Sequence, residues 1–517
     1  MKKLVTIAIL ITLLMMTVSG ALVVSAQEQP TSEPTIVEPT EEPTEEPTEE
    51  PTVEPTEEPT PEPTEEPTPE PEVAPQHTIG GSWTSEFIGL QNLGSDAANA
   101  TLNLYQASAT PVASIARTNI PVGGGSLIRP SDISADGRYA GIISSDEPMA
   151  AAVINMNATG TVGDAYLGIN TPSNRQVLPI VFRDHSLWES RFYIQNASSS
   201  QQTVTVSAYP VGQGTPSDSP TYDIPGNSSI TVDFMGTDFP NFGSGQGAYG
   251  YVEVVGSSSD VAVLCSNIND DPNAIIEMFY RGFNDNEAAT ELVVPVLYNM
   301  HSEWESGIMV VNRSNQTTQV TMTYYEDSQY YGGGTYQVTK QLGPYAATDF
   351  TLRYTAGLPQ PSFGSARLTS SPAVNMLAVV NSVTYPAQGS TGFSGPALNP
   401  SFATNRVAVP VSFNRGMSNL LDWNTGIGVY SVGAAGDVRA TWVRADSDPA
   451  TSSYVTTKNV GAASSTTFWG PEFTNVPTDF NGVVYLEAQG AGQTIMALVN
   501  HTLYNTGISC QMPGHNY

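Results

Sequence analysis

Basic residues, cysteine and histidine are all scarce in this chain of 517 residues, and each scarcity excludes something. Two cysteines, Cys265 and Cys510, are too few for a disulfide framework. Beyond Lys3 the only lysines are Lys340 and Lys458, so an acidic surface faces any phosphate backbone and nucleic-acid binding is excluded. The five histidines (His77, His185, His301, His501 and His515) form no His-x-x-x-His pair and no His/Cys cluster. The Gly-x-Ser-x-Gly elbow of serine hydrolases is missing as well. Of the 50 acidic residues, 17 are glutamates in residues 27–76, a stretch with no basic residue. The 441 residues after it carry 33 acidic and 16 basic side chains, a charged share of about 11%, less than half of ordinary soluble usage. Gly, Ser, Thr and Asn fill the difference, a composition suited to turn-rich β-structure.

What is present begins with a targeting segment. Lys2 and Lys3 precede the apolar run Leu4–Val18, and Val24-Ser25-Ala26 supplies small residues for cleavage. Residues 1–26 are therefore expected to be a signal peptide, with an uncleaved anchor as the alternative. No membrane association is expected after cleavage. Residues 27–76 form an acidic spacer of Pro-Thr-Glu-Glu units, in which proline fixes φ and the glutamates repel one another. Such a segment builds no core and is expected to be disordered and stiff, reaching on the order of 140 Å.

The remainder repeats itself. Trp83-Thr84-Ser85, Trp188-Glu189-Ser190, Trp304-Glu305-Ser306 and Trp423-Asn424-Thr425 each lead into an alternating apolar run. Each copy then reaches a small-apolar strand ending in Asn155, Asn267, Asn381 or Asn500. Three copies open on Leu178-Pro179-Ile180, Val294-Pro295-Val296 or Val409-Pro410-Val411. In the second copy, strands are expected at 178–183, 189–196, 202–209, 229–234, 249–255 and 261–268, separated by Gly/Ser/Pro/Asn turns. Six or seven short strands in about 95 residues, with no helical period, predict a β-sandwich. The fold expected is all-β, with four tandem Ig-like β-sandwich domains at 77–170, 171–288, 289–402 and 403–517.

The opening Leu-Pro-Ile or Val-Pro-Val, the Trp-Glu-Ser with its following Val-Val-Asn, and the closing Ala-Val-Val-Asn resemble a tandem Ig-like repeat. That repeat is common in exported envelope proteins of filamentous Chloroflexota-type bacteria, often behind Pro/Thr/Glu spacers. The resemblance covers residues 77–517 and implies fold and location more than activity. The first copy departs most, since it lacks a clear opening Leu-Pro.

Repetition serves as an internal control: a feature in every copy is architectural, while one confined to a single copy is a candidate for function. Trp83, Trp188, Trp304 and Trp423 are accordingly expected as core anchors at the sandwich ends, with sugar stacking as the sharper alternative. Gly245-x-Gly247-x-x-Gly250 lacks a βαβ setting and reads as a turn leading into a strand. Cys265 falls where other copies have Val or Leu, so it reads as a buried apolar residue. Cys510, near the end, reads as the freer thiol. Asn267, Asn269, Asp270, Asp271, Asp285 and Glu287 gather oxygen donors near one joint, where calcium is the single cofactor the pattern admits. The feature that repetition does not explain is Tyr330-Tyr331 before three glycines, in a loop expected to lie at the surface with both rings exposed; the rings either fold back over their own sheet or form a contact for a sugar or a neighbouring protein. The function expected is an exported, non-enzymatic cell-surface protein with structural or adhesive contacts. The alternative is a carbohydrate-binding array recognising envelope polysaccharide.

Overall fold

A computed structural model describes residues 83–106, 108, 110–133, 139–157, 162–269, 271, 275–327, 331–384, 391–414, 423–503 and 508–517, without the side chains of 83–86 and 508. The signal segment 1–26, the spacer 27–76, Asp270 and Tyr330 lie outside the described residues. Those described are all-β, in antiparallel sandwich-like sheets joined by turns and single 3-10 turns. No helix among them is long and apolar enough to cross a membrane.

Alternation drives the strands. In Gln202–Pro210, Val204, Val206 and Ala208 are fully buried, while Thr203 faces solvent. The same period-two pattern places Val320, Met322 and Tyr324 of Thr318–Glu326 inside. The order of strands across the sheet is Thr221–Ile224, Gln202–Pro210, Tyr249–Gly256, Arg175–His185, Trp188–Asn196, Val261–Asn269 and Ile276–Arg281. Ser229–Asp233 lies on the other side of Trp188–Asn196. We call Arg175–His185 the opening strand, Trp188–Asn196 the tryptophan strand, Tyr249–Gly256 the sixth, Val261–Asn269 the seventh and Ile276–Arg281 the final strand. The same order recurs with opening strands Glu291–His301 and Arg406–Asn414. The first set of strands, from Trp83–Asn92 to Gly163–Leu167, keeps these pairings but has no opening strand among the described residues. It divides into a four-stranded and a three-stranded sheet.

The repeated motifs acquire physical reasons. Each opening strand is bulged at its proline: the register slips between Leu178 and Val181, Val294 and Leu297, and Val409 and Ser412. A proline sits there without breaking the ladder, because a bulge leaves a residue unpaired. Three residues beyond each proline, a backbone N–H is satisfied by the hydroxyl of the Trp-x-Ser/Thr motif. Phe182 donates to Ser190 (2.8 Å), Tyr298 to Ser306 (3.0 Å) and Phe413 to Thr425 (2.8 Å). The asparagine ending the tryptophan strand is likewise structural. Buried Asn196 donates to the carbonyls of Ser200 and Ile224, and Asn312 donates to those of Gln316 and Gly343.

The observed strands of the second set contain nearly all of the expected ones. Two escaped the sequence: Thr221–Ile224, which ends in a stretch read as a turn, and the final strand Ile276–Arg281. Final strands also occur at Gly163–Leu167, Thr391–Pro396 and Ile508–Pro513. These four pack in a closed cycle, the first against the second, the second against the third, the third against the fourth and the fourth against the first. Cores run across the joints: Met309, Val311, Leu377 and Val379 join the second set's core, and Phe87, Leu127, Ala152 and Ile154 join the fourth's. At the joint between the fourth and first sets a Cβ on Gly89 would lie 2.2 Å from the Pro410 carbonyl oxygen, so the backbones meet there without a side chain between them.

Candidate functional site

Two places concentrate chemistry. The first is the centre of the cycle. Asp164 of the first final strand is fully buried and accepts N–H groups from Phe279 (2.5 Å), Gln511 (3.3 Å) and its neighbour Ala165 (2.7 Å). The Ser394 backbone also donates to it. One carboxyl from the first set thus meets backbone from all three others. Burial raises it well above the usual carboxylate range, against the opposing pull of those donors. By register against the tryptophan strands the same place is held by Met278, Phe393 and Cys510 in the other sets. Cys510 lies alongside it, fully buried, its thiol pushed up by burial and by the charge of Asp164. The expectation that Cys510 is the freer thiol is therefore corrected: the final strand carrying it is at the centre of the molecule, although it is close to the chain's end. Cys265 is buried as expected, and burial moves its thiol up to about 12.

The second place is the sandwich end that carries the tryptophans. Trp423 is fully buried against Phe413, with ring centroids 5.9 Å apart, and Trp188 is 8% exposed against Phe182. Trp304 is only half-buried, its ring tilted against Phe393 (4.9 Å) and Tyr298 (5.7 Å). The side chain of Trp83 is outside the described set. Next to Trp188 and Trp304, tight hairpins hold non-glycine residues in left-handed backbone: Asp184, Ser186 and Leu187, then Met300, Ser302 and Glu303. These hairpins present His185 and His301. The Gly247 N–H donates to His185 Nδ1 at 2.9 Å, from a glycine-rich turn that leads into Tyr249–Gly256. His301 Nδ1 lies 2.6 Å from the Tyr331 hydroxyl, and its ring packs on Phe363. Burial lowers both imidazoles, with Asp349 and Asp327 pulling the other way, so both are neutral at pH 7.

Of the candidate contact pair, Tyr330 lies outside the described residues, and Tyr331 is half-buried rather than substantially exposed. Its hydroxyl turns it inward onto His301. Trp304, His301, Tyr331, Tyr298 and Phe363 together form a partly open aromatic face with an imidazole at its edge.

Of the oxygen donors expected near the second joint, Asp270 lies outside the described residues and several of the others have protein partners. Asp285 pairs with Arg175 and Arg313, Glu287 with Arg281, and Asn269 with the Ser186 carbonyl and the Asp271 N–H. Among the described residues, no three His, Cys, Asp or Glu side chains are placed to hold a metal ion. Glu189 and Glu305 are taken by Arg191 and Arg353.

No protein-family model matches the chain, and no curated protein does. Among solved structures, Thermotoga maritima 1070 aligns at 11% identity over 21% of this chain and 92% of that one, with a TM-score of 0.18. Trypsin-activated alpha-2-macroglobulin from Escherichia coli aligns at 9% identity over 83% of this chain and 38% of that one, with a TM-score of 0.13. Likenesses this slight transfer neither fold nor function.

Proposed function

We propose that the chain is an exported, non-enzymatic surface protein in which four Ig-like β-sandwich copies form one body. A removable signal peptide (1–26) and a disordered acidic spacer (27–76) precede that body, holding it away from the cell. The observation that carries this reading is how the reactive side chains are used. Asp164, Ser190, Ser306, Thr425 and the strand-ending asparagines bind backbone, both thiols are buried, and Glu189, Glu305 and Glu287 are paired with arginines. Their polar chemistry is spent on holding strands together, which suits a load-bearing or adhesive module more than a reaction centre. The leader and the Pro/Thr/Glu spacer support export.

The second reading, recognition of envelope polysaccharide, is favoured by the half-exposed Trp304 beside His301 and Tyr331. Surface labelling of intact producing cells followed by fractionation tests export; recovery of the chain solely from the cytosol overturns it. Co-sedimentation of the mature chain with the producer's isolated envelope polysaccharide separates the two contact modes. Binding lost in Trp304→Ala and Tyr331→Ser, with folding retained, selects the polysaccharide. Indifference to polysaccharide, together with capture of surface protein, selects the adhesive reading.

A further inference from the structure

Two hairpins of the same shape hold their histidines in different ways. In the second set, the hairpin around Asp184–Leu187 clasps the turn between Ser229–Asp233 and Tyr249–Gly256. Arg183 donates to the carbonyls of Phe234 (3.0 Å), Gly236 (3.3 Å) and Gly243 (2.7 Å). Gln246 Nε2 donates to Ser186 Oγ at 2.7 Å, and the Gly247 N–H donates to His185 Nδ1 at 2.9 Å. The first part of this turn is also anchored by packing: Phe239 and Phe242 are buried against Phe234, each with ring centroids 4.7 Å away. The last part, Gly243–Gly247, is built differently. Gly243, Gly245 and Gly247 all take positive φ, and a Cβ on any of them would meet no atom within 4 Å. Packing does not fix these three positions, and glycine loses more conformational freedom than any other residue when it is held. The bonds to the hairpin are what hold the segment.

A backbone N–H can only donate. For Nδ1 to accept it, the His185 imidazole must be neutral with its proton on Nε2. An imidazolium carries a proton on both nitrogens and sets one of them against the Gly247 donor. The third set supplies the contrast. Register puts Pro361, which has no N–H, where the second set has Gly247. His301 Nδ1 instead meets the Tyr331 hydroxyl at 2.6 Å. A hydroxyl donates or accepts, so that contact survives protonation of the ring.

We propose that His185 is an acid-released latch: while neutral it holds Gly243–Gly247 on the hairpin, and on taking up a proton it lets that segment go. The surroundings of the ring favour the neutral form. Tyr249 (4.8 Å between centroids) and Phe182 (6.0 Å) enclose it. Asp349 of the third set acts on it by charge, but its carboxylate is shared with the Tyr249 hydroxyl (3.4 Å) and Lys340 (3.9 Å). Arg183 and Asp184 precede it in the hairpin, and Glu189 on the tryptophan strand is paired with Arg191. Asp271 follows the seventh strand, whose Asn269 donates to the Ser186 carbonyl. In the clasped turn, Asp233 accepts the Met235 N–H and Asp238 the Tyr222 hydroxyl. Burial outweighs the pull of Asp349 and lowers the imidazole below its ordinary value. A group lowered on folding contributes fully above its unfolded pKa, and that contribution is lost as pH falls through the lowered one.

Hydrogen exchange at 243–248, corrected for the intrinsic effect of pH, tests this on the full chain at about pH 7 and about pH 4. In the wild type, protection there should fall at acid pH by about tenfold for each unit by which the latch lowers the imidazole, read from the histidine ring protons by NMR. His185→Asn offers an amide oxygen that accepts without titrating, so it should keep its protection at both pH values. His185→Leu, with no acceptor, should lack it at both. His301→Asn should behave as the wild type does, and exchange at 335–342 should stay slow throughout. Protection at 243–248 that does not change with pH in the wild type overturns the proposal. So does an equal acid loss in His185→Asn, because another group is then releasing the segment. Should His185→Leu fail to fold, the comparison of wild type with His185→Asn decides alone.

Discussion

Replacing Asp164 by Ala would remove a side chain that touches all four sets. The carboxyl accepts N–H groups from Phe279 and Gln511 in other sets and from Ala165 in its own. Truncation strands these donors at a place with no access to bulk water, and each buried donor left unpaired costs about 1–3 kcal/mol. Two offsets act against that sum. The desolvation of the carboxyl disappears, and a water molecule entering the space left behind recovers part of the bonding. A net loss of about 3–5 kcal/mol is expected. Asp164→Asn, which keeps one acceptor oxygen but turns an NH2 toward donors, should lose roughly half as much. Urea unfolding followed by tryptophan fluorescence and near-ultraviolet circular dichroism reads both values. The pH dependence carries a sign. Because burial raises the folded-state pKa above its unfolded value, the wild-type contribution is complete below the unfolded pKa. It fades as pH rises through the raised one. The gap between wild type and Asp164→Asn should therefore narrow toward alkaline pH. A loss below about 1 kcal/mol for Asp164→Ala, or a gap that widens as pH rises, would refute the central role assigned to this carboxyl.

The three bulge hydroxyls predict that Ser190→Ala, Ser306→Ala and Thr425→Val each destabilise by about 1–2 kcal/mol in denaturant titrations, since each leaves an opening-strand N–H unpaired. Trp423→Ala should cost about 3–5 kcal/mol, and Trp304→Ala clearly less because its ring is half outside; equal losses would contradict the difference in burial. Arg313, 5% exposed at its side chain, pairs with Glu253 and Asp285 across the joint of the second and third sets. Arg313→Met should destabilise by about 2–4 kcal/mol with little dependence on salt, because Glu253 keeps only the longer contacts with Arg175 (3.8 Å) and the Tyr209 hydroxyl (3.5 Å); a loss that vanishes in high salt would place the pair at the surface instead.

Elements that repeat were legible from the chain alone, and elements that differ between copies were not. Alternation in Gln202–Pro210 and the Trp-x-Ser/Thr motif recur because every set solves the same local problem. Period-two burial and a bulge needing one hydroxyl leave a trace in each copy. The final strands leave no such trace. Gly-Asp-Ala-Tyr-Leu, Ile-Glu-Met-Phe-Tyr-Arg and Thr-Gly-Phe-Ser-Gly-Pro share no pattern, because each side chain there faces a different neighbour around the cycle. Asp164 carried a signal of the right kind, a residue peculiar to one copy, but finding it needed a register that sequence alone does not supply.

Composition and period by themselves determined that the described residues are all-β and where most strands of the second set fall, and they set the expectation of a leader and an acidic spacer before them. These follow from interactions between residues near one another along the chain: φ fixed by proline, repulsion between neighbouring glutamates, and side chains alternating across a pleat. Tertiary structure alone decided that four final strands meet, that Cys510 is buried at that meeting, that Tyr331 turns onto His301, and that Asp285 is taken by Arg175 and Arg313. Each of these depends on groups brought together from 28 to 347 residues apart, a distance over which local propensity carries no information and packing of one sheet against the next sets the outcome.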